Sequence, residues 1–326
     1  MPPKKKKKQQ DEDPSTEKLY GRYRKKCEAH QIVPYKRFKT KIDEALDENE
    51  HLTEFIAFDE IGPLGCLSMC EALIELEYKH LKELKFYKCA IGDEGCKAIA
   101  DFMVKAKSVK ILVLQDNGIT AEGCQNIANV LGPNHKLPLV KLKLDLNDIG
   151  TAGLKNLAST LCSNSVLERL SLKYCNLQKD SARYLQQILG YVDTKLSSLK
   201  LTQNSLGNEG VYQLFRALET NKSLEKLTIS GNQFGESDEI PVIQKICEVI
   251  TINTTCYYYD FTNNGISDRG ASELLECVKL YKHIWRMELP HLMAKEIMND
   301  FKKVLKKRKK PKKKKKKKGK KKKKKK

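Results

Sequence analysis

The stretch LKELKFYKCAIGDEGCKAIADFM, residues 81–103, places apolar residues at its first, fourth and sixth positions, Leu81, Leu84 and Phe86. A strand points alternate side chains to opposite faces, so a short strand here turns these residues toward a core. The template returns as VKILVLQDNGITAEGCQNIANVL at 109–131 and LSSLKLTQNSLGNEGVYQLFRAL at 196–218. Units begin at Leu81, Val109, Leu139, Leu167, Leu196, Leu224 and Cys256, with a decayed eighth at Ile284. The intervals are 28, 30, 28, 29, 28, 32 and 28 residues. A fixed period of this length is the mark of stacked supersecondary units.

Each position has a physical reason. The ninth residue, Cys89, Asn117, Asn147, Cys175, Asn204, Asn232 and Asn264 in turn, stands where the strand ends. Its side chain is expected to face inward and pair backbone groups of neighbouring units that burial would leave unsatisfied. A glycine turn follows (Gly92, Gly150, Gly207, Gly235), and a second glycine opens a helix, as in Gly153, Leu157 and Leu161 on one face. This pattern resembles the leucine-rich repeat of ribonuclease-inhibitor type. It implies an α/β solenoid, a horseshoe with parallel strands on the concave face and helices outside. Two units depart from it. The one at Leu224 carries GESDEIPVIQKICEV, where Pro241 predicts a helix start after it and Glu236–Glu239 an acidic loop. The one at Leu167 has Gln178 and Ser181 in place of both glycines.

The net charge of +21 is unevenly spread. Residues 306–326 carry 19 Lys/Arg and no acid, and Lys4–Lys8 add five, so the remaining body sits near −3. No run of 18 apolar residues exists to span a membrane, and the start Met-Pro-Pro-Lys lacks the apolar core of a secretory signal. The eleven cysteines, without CxxC pairs, read as thiols of a reducing compartment. In such a compartment the matches Asn221-Lys-Ser and Asn253-Thr-Thr never meet the glycosylation machinery.

The organisation follows: a basic and acidic head over 1–13 without fixed structure, a helical cap over 14–50, repeats with their C-terminal cap over 51–305, and a disordered poly-lysine tail over 306–326. In the cap, Leu19, Tyr23 and Cys27 recur at helical spacing. Pro34 is expected to begin a second helix with Phe38, Ile42 and Leu46 on one face. Leu52–Leu73 reads as a decayed first repeat whose strand lies one residue out of register. The tail has three readings: a solvated end, an electrostatic anchor to an acidic polymer such as tubulin tails or RNA, or a nuclear localisation signal. Lysine supplies point charges without the bidentate geometry of arginine, hence affinity and salt dependence but no sequence recognition.

Strand positions two, three, five, seven and eight face the concave surface. Lys85, Lys143, Lys173 and Lys200 make it basic toward its N-terminal half. Tyr87, Tyr174, Tyr258 and Trp285 are candidate anchors for a protein partner. The alternative is that alternating charges only keep an exposed sheet soluble. No catalytic arrangement emerges. The glycines and lysine of 92–97 lack phosphate-loop spacing, the six histidines are dispersed without HExxH, and no GxSxG occurs. No cofactor, metal or small-molecule substrate is assigned.

The repeats resemble ribonuclease-inhibitor-like proteins over roughly 52–300. Met1–Lys8 and the short helical lead-in also resemble leucine-rich repeat proteins of the motile ciliary or flagellar axoneme. That resemblance implies a non-catalytic scaffold docked in a microtubule-associated assembly, cytoplasmic and ciliary. Two further classes stay open: a nuclear or nucleolar adaptor whose tail contacts RNA, and a regulator of a small GTPase.

Overall fold

The computed structural model describes Asp13 and residues 15–308. Two helices lead in, α1 (Ser15–Ala29) and α2 (Lys36–Asp47). The strands are β1 (Glu54–Ala57), β2 (Glu83–Tyr87), β3 (Ile111–Gln115), β4 (Lys141–Lys143) and β5 (Arg169–Ser171). Then come β6 (Ser198–Lys200), β7 (Lys226–Thr228), β8 (Tyr258–Asp260) and β9 (Arg286–Glu288). A helix follows each: α3 (Gly62–Glu75), α4 (Gly92–Ala106), α5 (Ala121–Leu131), α6 (Gly150–Leu161) and α7 (Ala182–Gly190). The last four are α8 (Gly207–Leu218), α9 (Glu239–Ile252), α10 (Asp268–Leu280) and α11 (Lys295–Lys306). None is long and apolar enough to cross a membrane.

The nine strands form one parallel sheet in chain order. Their register aligns the fourth repeat position into a continuous buried row, Leu84, Leu112, Leu142, Leu170, Leu199, Leu227, Tyr259 and Met287. Each fully buried leucine contributes about 1.5–3 kcal/mol, and no single unit could enclose such a row alone. The eighth position then takes left-handed backbone, at Lys88, Asp116, Leu146, Tyr174, Gln203, Gly231 and Asn263 alike. That kink ends each strand and turns the ninth side chain inward. Gly92 also needs its left-handed φ of 60°, whereas a side chain at Gly95 would run into Ile91.

Several sequence expectations are corrected. The strand of the first unit is in register: Phe55 pairs with Leu84 and Ala57 with Phe86. The missing residue lies in the loop after it, where Ile61 and Gly62 donate to the carbonyl of Cys89. Helix α2 begins at Lys36, two residues beyond Pro34, and Ala45 takes the inward place while Leu46 is exposed. Helix α9 begins at Glu239, with Pro241 inside its first turn, where a missing N–H breaks no helical bond. Glu239 is therefore no loop residue; it is buried and accepts from Ser267 N–H at 2.9 Å. In the unit without glycines, a 3-10 turn over Lys179–Ser181 leads into α7.

The C-terminal boundary also moves. Lys306 ends α11, and the Arg308 guanidinium donates to the carbonyls of Tyr281 at 3.2 Å, Ile284 at 2.7 Å and Val278. Arg308 thus belongs to the folded body. Residues 1–12, Pro14 and 309–326, which hold most of the expected head and tail, lie outside the described residues.

Candidate partner-binding face

The concave wall is a set of rows running across the strands. At the third position the row reads Glu54, Glu83, Ile111, Lys141, Arg169, Ser198, Lys226, Tyr258 and Arg286. At the fifth it reads Ile56, Lys85, Val113, Lys143, Ser171, Lys200, Thr228, Asp260 and Glu288. The ends of these rows neutralise themselves. Lys85 pairs with Glu54 and with Glu83 at 2.6 Å, and Arg286 pairs with Glu288. Lys88 lies 3.9 Å from Asp116.

The middle does not. Lys143 reaches Asp145 at 3.4 Å and the Gln115 amide at 2.5 Å. Lys141, Arg169, Lys173, Lys200 and Lys226 make no ion pair among the described residues. They line one concave hollow of about 650 Å³ together with Tyr257, Tyr258 and Trp285. Desolvation lowers the Lys141 ammonium below its ordinary pKa, with Arg169 and Lys85 adding repulsion. Lys200 is lowered likewise, by desolvation and then by Lys173. The mutual repulsion of these clustered cations is what an anion would relieve. The unpaired basicity is therefore narrower than the basic stretch read from the sequence, centred on β4–β7, because Lys85 and Lys88 at its start are paired.

An aromatic corner closes the far side. Tyr257 and Trp285 meet edge to face, ring centroids 6.4 Å apart. The Tyr257 hydroxyl donates to Glu225 at 3.1 Å, and burial with that neighbouring carboxylate pushes its pKa up to about 12. The Arg286 guanidinium lies 6.0 Å from the Tyr258 ring centre. Tyr87 stacks on Phe58 at 5.4 Å with the Lys143 ammonium 5.9 Å from its ring centre, and Tyr174 is 51% exposed. The structure thus brings Lys173, Lys200, Tyr258 and Trp285 into one hollow, with Lys143 on its wall, and leaves Lys85, Tyr87 and Tyr174 outside it.

The ninth-position residues form a rung system behind this wall. Asn117 Oδ1 accepts from Cys89 N–H at 3.0 Å, and Asn204 Oδ1 accepts from Cys175 N–H at 3.1 Å. Asn264 Oδ1 accepts from Asn232 N–H at 2.7 Å. The Cys175 thiol donates to the Leu144 carbonyl at 3.4 Å, the role an asparagine amide takes elsewhere. Burial pushes the thiols of Cys89 and Cys124 up to about 11 and 12, so they stay protonated and unreactive.

A second asparagine spine escaped the sequence reading. Asn164, Asn221 and Asn253 each stand three residues before a unit begins. Asn221 donates to the Leu189 carbonyl at 2.7 Å and accepts from Leu224 N–H at 2.8 Å. Asn253 donates to Leu218 and accepts from Cys256 in the same way. Both side chains are buried, so their glycosylation-like context marks a structural role. The recurrence of asparagine at one offset was the available signal.

The leucine-rich repeat family pattern matches residues 79–100, 105–128, 135–158 and 192–215. Ribonuclease inhibitor of Mus musculus is 27% identical over 222 residues, covering 67% of this chain and 47% of that protein. Ribonuclease inhibitor of Sus scrofa is 26% identical over 242 residues, covering 70% and 51%. The chain thus spans about half the length of these relatives. A solved structure of leiomodin-1 actin-binding site 2 aligns at 17% identity and a TM-score of 0.38, covering 48% of this chain and 86% of that one.

Proposed function

The chain is a ribonuclease-inhibitor-like leucine-rich repeat protein, and we propose that it is a non-catalytic scaffold holding an acidic segment of a partner protein on its concave sheet. The observation that carries this is the set of five cations over β4–β7 without ion-pair partners, beside the Tyr257–Trp285 corner. Nearby aromatics supply contact area and cations supply charge complementarity, the two ingredients of an anchored interface. Trp285 is the single tryptophan of the chain, so its fluorescence reports directly on the hollow. Titration with a glutamate-rich peptide should change that emission saturably, and Lys173→Glu with Lys200→Glu should abolish the response. An unchanged emission in the parent chain would refute this reading.

The finer proposal is a structural subunit of the ciliary or flagellar axoneme, docked to a microtubule-associated complex. It is supported by the Met-Pro-Pro-Lys start and the short helical lead-in. On this reading the lysines beyond Arg308 add a salt-sensitive contact to an acidic polymer, tubulin tails or RNA. Tagged protein in ciliated cells should follow the cilia and survive detergent extraction. A nucleolar signal lost on deleting residues 309–326 would instead support the RNA-contacting adaptor.

A further inference from the structure

Three side chains remote in sequence meet where the lead-in helices join the first strands. Asp13 precedes α1, His51 follows α2 and His80 precedes β2, and one ligand-type atom of each lies within 4.8 Å of the others. The two imidazoles are stacked, centroids 3.6 Å apart and planes 9° from parallel. His80 Nε2 stands 2.7 Å from Asp13 Oδ2, and that contact holds the Asp13 carboxyl down at about 2.

A hydrogen-bond chain fixes the proton on His51. The Tyr78 hydroxyl donates to the Leu52 carbonyl at 3.1 Å, so its oxygen accepts from the Thr16 hydroxyl, 3.0 Å away. Thr16 has then used its own proton, and its oxygen accepts from His51 Nδ1–H at 2.9 Å. Thr16 and Tyr78 are only 3% and 1% exposed, which shields the chain from water. Nδ1 is thereby committed to Thr16, and Nε2 is the ring nitrogen left to meet a metal. A ring whose other N–H is held by a protein oxygen is how metal-binding histidines are oriented.

We propose that Asp13, His51 and His80 bind one divalent transition-metal ion of zinc type, clasping the lead-in helices to the first repeat. The ion takes His51 Nε2, His80 Nε2 and an Asp13 carboxylate oxygen, and His80 holds its proton on Nδ1 in the bound state. Zinc takes nitrogen and carboxylate ligands at about 2.0–2.2 Å, which sets them about 3.3 Å apart in a tetrahedron with water as the fourth. The group closes to that size when the exposed Asp13 carboxylate rotates and the His80 ring turns out of its stack on His51, so that both in-plane Nε2 lone pairs meet the ion. The site lies at the lead-in end of the solenoid, and its residues are distinct from those lining the concave hollow.

The test uses the full chain, freed of metal with a chelator. Cobalt is titrated with visible absorption as the readout, then zinc with calorimetry and thermal melting. Expected are one ion per chain, d–d bands without a thiolate charge-transfer band, and a higher melting temperature with zinc. Asp13→Asn and His80→Gln should each weaken binding at least tenfold. Thr16→Val, which removes only the oxygen orienting His51, should weaken it roughly tenfold at unchanged stoichiometry. Asp13 is exposed, so Asp13→Asn keeps the fold and decides the matter even if another variant unfolds. No binding heat, binding indifferent to Asp13→Asn, or a thiolate band pointing to cysteine ligands would each overturn the proposal.

Discussion

The side-chain oxygen of Asn147 accepts the backbone N–H of Asn117, thirty residues earlier, at 2.9 Å. The same oxygen accepts from Ile119 at 3.1 Å, and the amide nitrogen donates to Leu114 at 2.7 Å and Leu144 at 2.8 Å. One buried amide thus joins two units through their backbones.

Asn147→Leu should strand two N–H groups and the Leu114 carbonyl in the core and leave the Leu144 carbonyl only the Cys175 thiol, costing about 3 kcal/mol. Asn232→Leu should cost less, because Asn232 Oδ1 is buried without a partner already. Urea denaturation of the two variants side by side measures the difference. Equal losses would show that the rungs are not the cause.

The depressed lysines give the concave face a pH signature. Lys141 and Lys200 lose their protons at lower pH than ordinary lysines do. Affinity for an acidic peptide should therefore fall first in the alkaline range just below the usual lysine value. An anion restores both pKa values, so binding there takes up protons. Calorimetry in buffers of differing ionisation heat detects that uptake.

Removing the Arg308 side chain should loosen the C-terminal cap. Three carbonyls lose a charged donor, and Arg308→Ala should lower stability by about 1–3 kcal/mol. Hydrogen exchange should rise first in α10 and α11. Protection unchanged in both helices would place Arg308 outside the folded body.

Two glycines should respond in opposite directions. A methyl at Gly153 would meet Ile149 at 2.4 Å and the Ala121 Cα at 3.3 Å, so Gly153→Ala should cost about 1–3 kcal/mol. Gly21 lies within α1 with open space around it, and Gly21→Ala should stabilise by roughly 1 kcal/mol. Thermal melts of the pair check both signs.

The repeat period, the buried fourth-position row and the glycine turns were legible because they follow from local chain physics restated every 28 or so residues. Alternation needs only neighbouring residues, and a left-handed turn needs only its glycine. By the sequence alone the chain was already an α/β leucine-rich repeat solenoid. Charge was another matter. Lys85 and Lys200 look alike in sequence, yet Lys85 is answered by Glu54 one unit away, whereas Lys200 makes no ion pair among the described residues. That distinction depends on cross-strand register, and the register hung on a residue missing from the loop before Ile61. The Asp13–His51–His80 meeting likewise required α1, α2 and β2 to pack first, since 29 residues separate the two histidines and no local rule links them. Sequence set the repeating scaffold; only the folded register decided which side chains on it remain without partners, because pairing acts across units and not along the chain.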